Sequence, residues 1–187
     1  MNREIVWERT GPMGLEHLVL SAGSDRVDAD GVVVIDTGGG DVVRLRYAIR
    51  LGPDWRTRSA ELALDRGGPA RTLSIARTGE RWSVDGVARS DLDGAFDIDI
   101  AGTPFTNAMP LRRLALVPGV PAPIRVVYVG LPALNVAPAE QDYTRLGEGR
   151  FRYRGLGTGF EAVITADADG IVVDYPPIWR RRAGRPS

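Results

Sequence analysis

Two aspartates with one residue between them are the side chains best suited to chemistry in this sequence. Asp97 and Asp99 alternate with Phe96, Ile98 and Ile100, and this alternation predicts a strand whose successive side chains point to opposite faces. The two carboxyl groups then share a face, about 7 Å apart at their Cα atoms. Glycosidases place carboxyl pairs at comparable separations, one acting as an acid and the other as a nucleophile or base. The spacing therefore admits glycoside hydrolysis.

Two other roles for the aspartate pair compete with catalysis. Two carboxylates on one strand usually have similar environments, whereas acid and base roles require different pKa values. The pair could instead bind Arg112, Arg113 or the arginines of neighbouring strands, because perturbed carboxylates often belong to structural ion networks. It could also bind a ligand. The sequence favours a structural network first, ligand binding second and catalysis last.

The residues that follow the pair predict a short helix and then a second strand. Thr103 and Pro104 have the form of a helix start, with Thr as the capping residue and Pro at the first helical position. Pro110 lacks the N–H that an interior helical hydrogen bond requires, so the helix should end there. Residues 111–116 return to an extended apolar pattern. The segment is thus interpreted as strand, polar corner, strand.

No common metal, cofactor or nucleophile motif is present in the sequence. Residues 91–94 resemble a calcium loop, but glycine stands at its fourth position instead of the sixth, and Gly102 occupies the position of the usual Glu. His17 is the only histidine, and there is no cysteine, so a histidine zinc triad and thiol chemistry are excluded. The nucleophile-elbow, phosphate-loop and dinucleotide patterns are also missing. The sequence predicts a non-enzymatic protein with no metal and no cofactor.

The elements that must position these residues are predicted to be strands. Residues 42–51 alternate apolar side chains with arginines, and residues 150–154 repeat the pattern. Asp-Gly pairs at 30–31, 85–86 and 169–170 favour two-residue hairpin turns, whose central residues need positive φ. A flat sheet of that many strands would curl or close. We therefore expect an all-β fold: one strongly bent antiparallel sheet or half-barrel of about a dozen strands, with one or two short helices.

Length and charge predict one ordinary domain over residues 1–187. The 24 basic residues, all arginine, balance 24 acidic ones, and zero net charge argues against a nucleic-acid partner. No apolar run is long enough for a signal peptide or a membrane span, so a cytoplasmic protein without an integral membrane segment is expected. The basic residues 180–187 are predicted to form a flexible tail.

The longest motif in the chain is the run D-I-D-I-x-x-T-P-F-T-N-x-x-P-L-R-R-L from Asp97 to Leu114, and shorter motifs lie at residues 55–58, 141–143 and 169–176. With these motifs the sequence resembles the bacterial family described as putative glycolipid-binding. These motifs occur in order over nearly the whole chain. The family often has a cysteine between the positions of Gly94 and Asp97, where this chain has Ala95, so no thiol chemistry is carried over. The resemblance implies a curved sheet similar to that of lipoprotein carriers, and a glycolipid-like ligand.

The function expected from this resemblance is non-catalytic binding of an amphiphilic small molecule, such as a glycolipid or another lipid, in an apolar cleft. A concave apolar sheet would hold an acyl chain, and polar residues at its mouth would orient a head group. Trp55 could stack on a sugar while Arg56 and Arg58 bind anionic groups. The alternatives are a carbohydrate-active enzyme using Asp97 and Asp99, or a structural or partner-binding module. The candidate ligand-binding residues are Trp55, Arg56, Arg58, Asp97, Asp99, Thr106, Asn107, Arg112, Gln141 and Tyr143.

Overall fold

The computed structural model describes residues 1–184, of which the strands form one open sheet. Strands account for 60% of the structure and helices for 7%, so the prediction of an all-β fold is confirmed. The strands are β1 (Asn2–Arg9), β2 (Gly14–Ala22), β3 (Val27–Asp36), β4 (Val42–Leu51), β5 (Thr57–Asp65), β6 (Arg71–Thr78), β7 (Arg81–Val84), β8 (Val87–Ala88), β9 (Asp97–Ile100), β10 (Ala122–Gly130), β11 (Asn135–Gly147), β12 (Arg150–Gly155), β13 (Phe160–Ala166), β14 (Val172–Tyr175) and β15 (Trp179–Gly184), and the helix is α1 (Ala108–Arg113).

The sheet consists of two meandering halves that meet at its centre. Strands β1 to β8 follow one another outward to one edge, and β10 to β15 run inward from the other. The first and last strands, β1 and β15, pair antiparallel in the middle. Between the halves the chain crosses from β8 to the opposite edge, where β9 pairs parallel with β10. The sheet is therefore mixed, whereas an antiparallel sheet was expected, because β9 enters from the far side instead of through a hairpin.

Alternation along the strands separates a buried inner face from an exposed outer face. In β4 the side chains of Val43, Leu45, Tyr47, Ile49 and Leu51 are buried, and the arginines between them are exposed. Because successive strand residues point to opposite faces, each strand contributes every second residue to the core. The arginine face predicted for this strand is thus the outer face of the sheet.

The sheet bends far enough for strands near its two edges to touch. Thr57, at the start of β5, donates its backbone N–H to the carbonyl of Phe96 at 2.9 Å, and its hydroxyl accepts from the N–H of Ile98 in β9 at 3.2 Å. The Trp82 indole in β7 donates to the carbonyl of Ala95 at 3.1 Å. Since β5 and β7 lie toward one edge and β9 forms the other, these bonds require strong curvature, as predicted.

A helical segment fills the concave side of the bent sheet. It consists of a 3₁₀ turn at residues 105–107 followed by α1, and residues 105–111 are all buried. The hydroxyl of Thr103 accepts a hydrogen bond from the N–H of Phe105 at 3.0 Å, consistent with the predicted helix start. The predicted end at Pro110 is wrong. This proline lies in the first turn of α1, where a backbone N–H has no helical partner, so the helix continues to Arg113.

Two further expectations about chain segments require correction. No strand follows α1 directly, because the next strand begins only at Ala122. The predicted flexible tail is also wrong for residues 180–184, which form most of β15 and pair with β1. Arg181 forms an ion pair with Asp167 at 2.6 Å, and Arg180 forms one with Asp174 at 3.2 Å. Residues 185–187 lie outside the described residues. The expectation of one domain over residues 1–187 stays a prediction.

Candidate functional site

A cavity of about 1190 Å³ opens on the inner side of the sheet. Its walls come from the ends of β1 and β3, from β9, and from the strands β10 to β15, so both halves of the sheet contribute to it. Small-molecule sites usually enclose roughly 300 to 1,000 Å³. The cavity is therefore large enough for a ligand bigger than an ordinary metabolite.

One wall of the cavity is formed by packed aromatic rings from β12 to β15. The ring centroids of Tyr153 and Phe160 lie 6.1 Å apart, and Tyr175 packs edge-on against Tyr153 at the same distance. Ile178 and Trp179 extend this wall. Offset and edge-to-face contacts of this kind hold aromatic rings in fixed positions. We refer to these five residues as the aromatic wall.

A polar cluster centred on Asp99 lies at another side of the same cavity. The hydroxyl of Thr106 donates to Oδ1 of Asp99 at 3.0 Å, and the amide of Gln141 donates to Oδ2 at 2.5 Å. Next to them, the Tyr143 hydroxyl donates to Oδ1 of Asn107 at 2.9 Å. Asp99, Asn107 and Gln141 line the cavity, while Thr106 and Tyr143 hold them in place. Five of the ten predicted ligand-binding residues are thus brought together.

The Asp99 carboxyl has only neutral hydrogen-bond partners among the described residues. Burial raises its pKa, and the hydrogen bonds from Gln141 and Thr106 oppose that rise only in part. Burial also raises the pKa of Tyr128, and the nearby Asp99 adds to the increase. No arginine forms an ion pair with Asp99 within the described residues. The carboxyl oxygens can therefore accept hydrogen bonds from a ligand in the cavity.

Asp97 belongs to a different environment from Asp99, although both side chains project from one side of β9. Its carboxyl accepts two hydrogen bonds from the guanidinium of Arg113, one of them from Nε at 3.3 Å. The side chains of Asp97 and Arg113 are only 1% and 14% exposed. Burial raises the pKa of Asp97, and the guanidinium of Arg113 counteracts this. Asp97 does not line the cavity, so the two carboxyls do not face one substrate as a glycosidase pair would.

The remaining predicted residues, Trp55, Arg56, Arg58 and Arg112, lie away from the cavity. Trp55 is 7% exposed, and the guanidinium of Arg112 packs over its ring at 4.3 Å. The guanidinium of Arg56 packs over the ring of Phe96, also at 4.3 Å. None of these four side chains lines the cavity, so the structure does not bring them together with Asp99.

A buried acidic contact, which the sequence analysis missed, joins the helical segment to the sheet. Glu16 in β2 is fully buried, accepts a hydrogen bond from the Thr103 hydroxyl at 2.8 Å, and contacts the hydroxyl of Tyr47. Burial raises the pKa of Glu16 to about 8, although both hydrogen bonds oppose the shift. Thr103 lines the cavity. The Glu16 contact therefore helps to hold one part of the cavity wall.

The position of Tyr47 over Gly31 makes the contact with Glu16 possible. The two residues are cross-strand partners, and a Cβ atom added at Gly31 would lie 2.1 Å from Cζ of Tyr47. Real Cβ atoms do not approach other atoms so closely. Gly31 is therefore required for space, and the predicted turn at residues 30–31 is wrong because both residues lie inside β3.

Two classes of feature are absent from the part of the chain that the structure describes. In residues 1–184 no three His, Asp or Glu side chains are grouped so that they could hold a metal ion. Over the same residues, no helix has the length and apolar character needed to cross a membrane.

Comparison with known proteins identifies similar sequences and a similar fold. A family model described as putative glycolipid-binding matches residues 4–181. The crystal structure of a DUF1089 family protein from Pseudomonas aeruginosa at 1.80 Å resolution is similar, with 35% sequence identity and a TM-score of 0.80, covering 90% of this chain and 92% of that chain. No curated protein matches the sequence. The family match spans the strands on both sides of the cavity.

Proposed function

Because the chain belongs to the family described as putative glycolipid-binding, we propose that its cavity binds an amphiphilic molecule of the glycolipid class without transforming it. The observation that carries this proposal is the presence, in one large cavity, of an aromatic wall and a separate polar cluster. A molecule with an apolar chain and a hydroxylated head can satisfy both. A purely apolar ligand would cover the polar side chains that line the cavity near Asp99 without offering them hydrogen bonds in place of those with water, at a cost in free energy.

The polar cluster has the hydrogen-bonding groups that a sugar head requires. Asp99 offers carboxyl oxygens as acceptors, and the amides of Gln141 and Asn107 combine donors and acceptors. Each of them lines the cavity. A site that hydrogen-bonds hydroxyl groups discriminates strongly against analogues that lack them, because its own groups are then left unpaired. We assign the sugar to this cluster and the alkyl chain to the aromatic wall.

Non-catalytic binding is preferred over hydrolysis because of the position of the second carboxyl. Asp97 is paired with Arg113 and stands outside the cavity. Glycoside hydrolysis ordinarily requires two carboxyls, one acting as the acid and the other as the nucleophile or base, and the pair predicted from the sequence does not meet in the cavity.

Alkyl glycosides of increasing chain length should bind with increasing affinity. Each methylene transferred from water to an apolar wall contributes at most about 0.8 kcal/mol, and the measured increment should be smaller because binding also restricts the ligand. Isothermal titration calorimetry at fixed head group measures this slope. Gln141→Ala should change the preference among sugars while the slope is kept, and Arg58→Ala, far from the cavity, is the matched control. Equal affinities along the series, or tight binding of free sugars, would refute the proposal.

A second variant tests whether the cavity itself is the site. Ala139 in β11 is partly buried and lines the cavity, so Ala139→Trp should occupy the space that an alkyl chain needs. We expect binding of every member of the series to be lost while thermal unfolding shows a folded protein. Unchanged affinity in a folded Ala139→Trp protein would place the ligand elsewhere.

A further inference from the structure

Three arginine side chains surround the ring of Phe96, and neither they nor Phe96 line the cavity. The guanidinium carbons of Arg56, Arg77 and Arg113 lie 4.3, 5.6 and 5.8 Å from the centroid of this ring. All three distances are within the range of a cation–π contact. The three residues come from different elements, namely the loop before β5, the end of β6 and the end of α1. We refer to them as the Phe96 arginine cluster.

The charges in and around this cluster do not balance. Arg58 interacts electrostatically with Arg77, as do the acidic residues Asp54 and Asp97. The four arginines and two aspartates together leave an excess of two positive charges. Burial, followed by repulsion from Arg56, lowers the pKa of Arg77. The native fold therefore holds like charges together without enough acidic side chains to neutralise them.

Several guanidinium donors in the cluster have no acceptor. The Arg56 guanidinium forms an ion contact with Asp54 at 3.4 Å but donates no hydrogen bond to any described residue, and its Nε is shielded from solvent. Arg77 donates from Nε to the Thr57 carbonyl at 2.7 Å and from Nη1 to the Gly79 carbonyl. Arg113 binds Asp97 through Nε and Nη2. The nitrogens that remain, Nη2 of Arg77 and Nη1 of Arg113, make no hydrogen bond within residues 1–184.

We propose that the Phe96 arginine cluster is a binding site for a doubly charged oxyanion of the phosphate class. A phosphate monoester would neutralise the excess of two charges and supply acceptors for the free guanidinium donors, which match phosphate oxygens in geometry. The anion could be a free phosphate or the phosphate head group of a lipid. Of the four arginines involved, none lines the cavity, so this site is additional to the proposed amphiphile site and does not depend on it.

Titration of the full chain with inorganic phosphate tests the site. We expect calorimetry to detect binding that weakens as sodium chloride is raised, because the contacts are ionic. Arg56→Gln should weaken it by about tenfold or more, the value expected for losing a charged hydrogen-bond partner. Arg46→Gln is the matched control, since this exposed arginine of β4 lies on the outer face, and its affinity should equal that of the wild type.

A vesicle experiment distinguishes the two sources of the phosphate group. The protein is sedimented with phosphatidylcholine vesicles and with the same vesicles containing phosphatidic acid, whose head group is a phosphate monoester. Binding only to the second kind, lost in Arg56→Gln and kept in Arg46→Gln, identifies a lipid head group. Binding of inorganic phosphate without vesicle binding identifies a soluble ligand.

Two results would overturn the proposal. The first is a wild-type protein that binds neither inorganic phosphate nor vesicles containing phosphatidic acid. The second is binding that Arg56→Gln and Arg46→Gln reduce equally. If Arg56→Gln fails to fold, Arg58→Gln replaces it, because the Arg58 side chain is exposed and its positive charge acts on Arg77. Alkyl glycoside binding by these variants should stay at the wild-type value, which separates this site from the cavity.

Discussion

Glu16→Gln should stabilise the protein by on the order of 5 kcal/mol above pH 8 and should have little effect below about pH 4.5. The pKa of Glu16 rises from 4.5 to about 8 on folding, mainly because the carboxyl is buried. The folded state therefore retains a proton that the unfolded state releases between these two pH values. Stability from this group is fully present below pH 4.5 and is lost as the pH rises toward 8. A neutral amide does not titrate, so the variant should lack this loss.

Urea denaturation of both proteins at several pH values measures the difference. Glu80→Gln is the control, because Glu80 is exposed in the loop between β6 and β7. Its stability curve should run parallel to that of the wild type. If Glu16→Gln also gave a parallel curve, Glu16 would have an ordinary pKa in the folded protein.

Asp97→Ala should destabilise the fold by about 3 to 5 kcal/mol. The aspartate is 1% exposed and its partner Arg113 is 14% exposed, so the substitution leaves a largely buried guanidinium without its counter-ion. Arg113→Ala should cost a similar amount because it strands the carboxylate. The double variant should lose less than the sum of the two, since neither charge is then left alone.

Arg112→Ala is the informative comparison for the Asp97 prediction. Its guanidinium packs over Trp55 and is 3.8 Å from Asp169. Both contacts are more exposed than the Asp97 pair, so the loss should be about 1 kcal/mol. Denaturant midpoints of the three single variants rank them directly. A midpoint for Asp97→Ala equal to that of the wild type would show that the pair does not stabilise the fold.

The choice between Arg112 and Arg113 could not be made from the sequence. The two residues are chemically identical neighbours, and both were plausible partners of Asp97. Successive residues of a helix point about 100° apart, so only one of them can face β9. Which one does so depends on where α1 begins. The unexpected continuation of α1 past Pro110 decides this.

Two Asp-Gly pairs show what local sequence can and cannot predict. Asp85 and Gly86 both have positive φ and form the two-residue turn between β7 and β8, as the dipeptide predicts. Asp30 and Gly31 instead lie in the middle of β3, where the glycine leaves room for the ring of Tyr47. The first glycine is needed for its backbone conformation, and the second for the space above it. Only the strand register distinguishes these requirements.

The sequence could predict that the sheet encloses a cavity, but it could not predict which residues line that cavity. The number of strands between turn signals indicated a curved sheet, and alternation along the strands indicated its apolar face. The aromatic wall brings together residues from four strands, and the cavity is completed by residues of β1 and β3 from the other half of the sheet. Their proximity follows from the pairing of β1 with β15, which no local pattern encodes.

That central pairing also constrains how the protein can fold during synthesis. β1 is made before β15, yet Arg9 pairs with Trp179, about 170 positions later in the sequence. The meander from β1 to β8 can assemble on the ribosome, but its inner edge stays unpaired until the last strand emerges. An unpaired strand edge is a template for association with other chains. The nascent protein should therefore be most prone to aggregation just before β15 is complete.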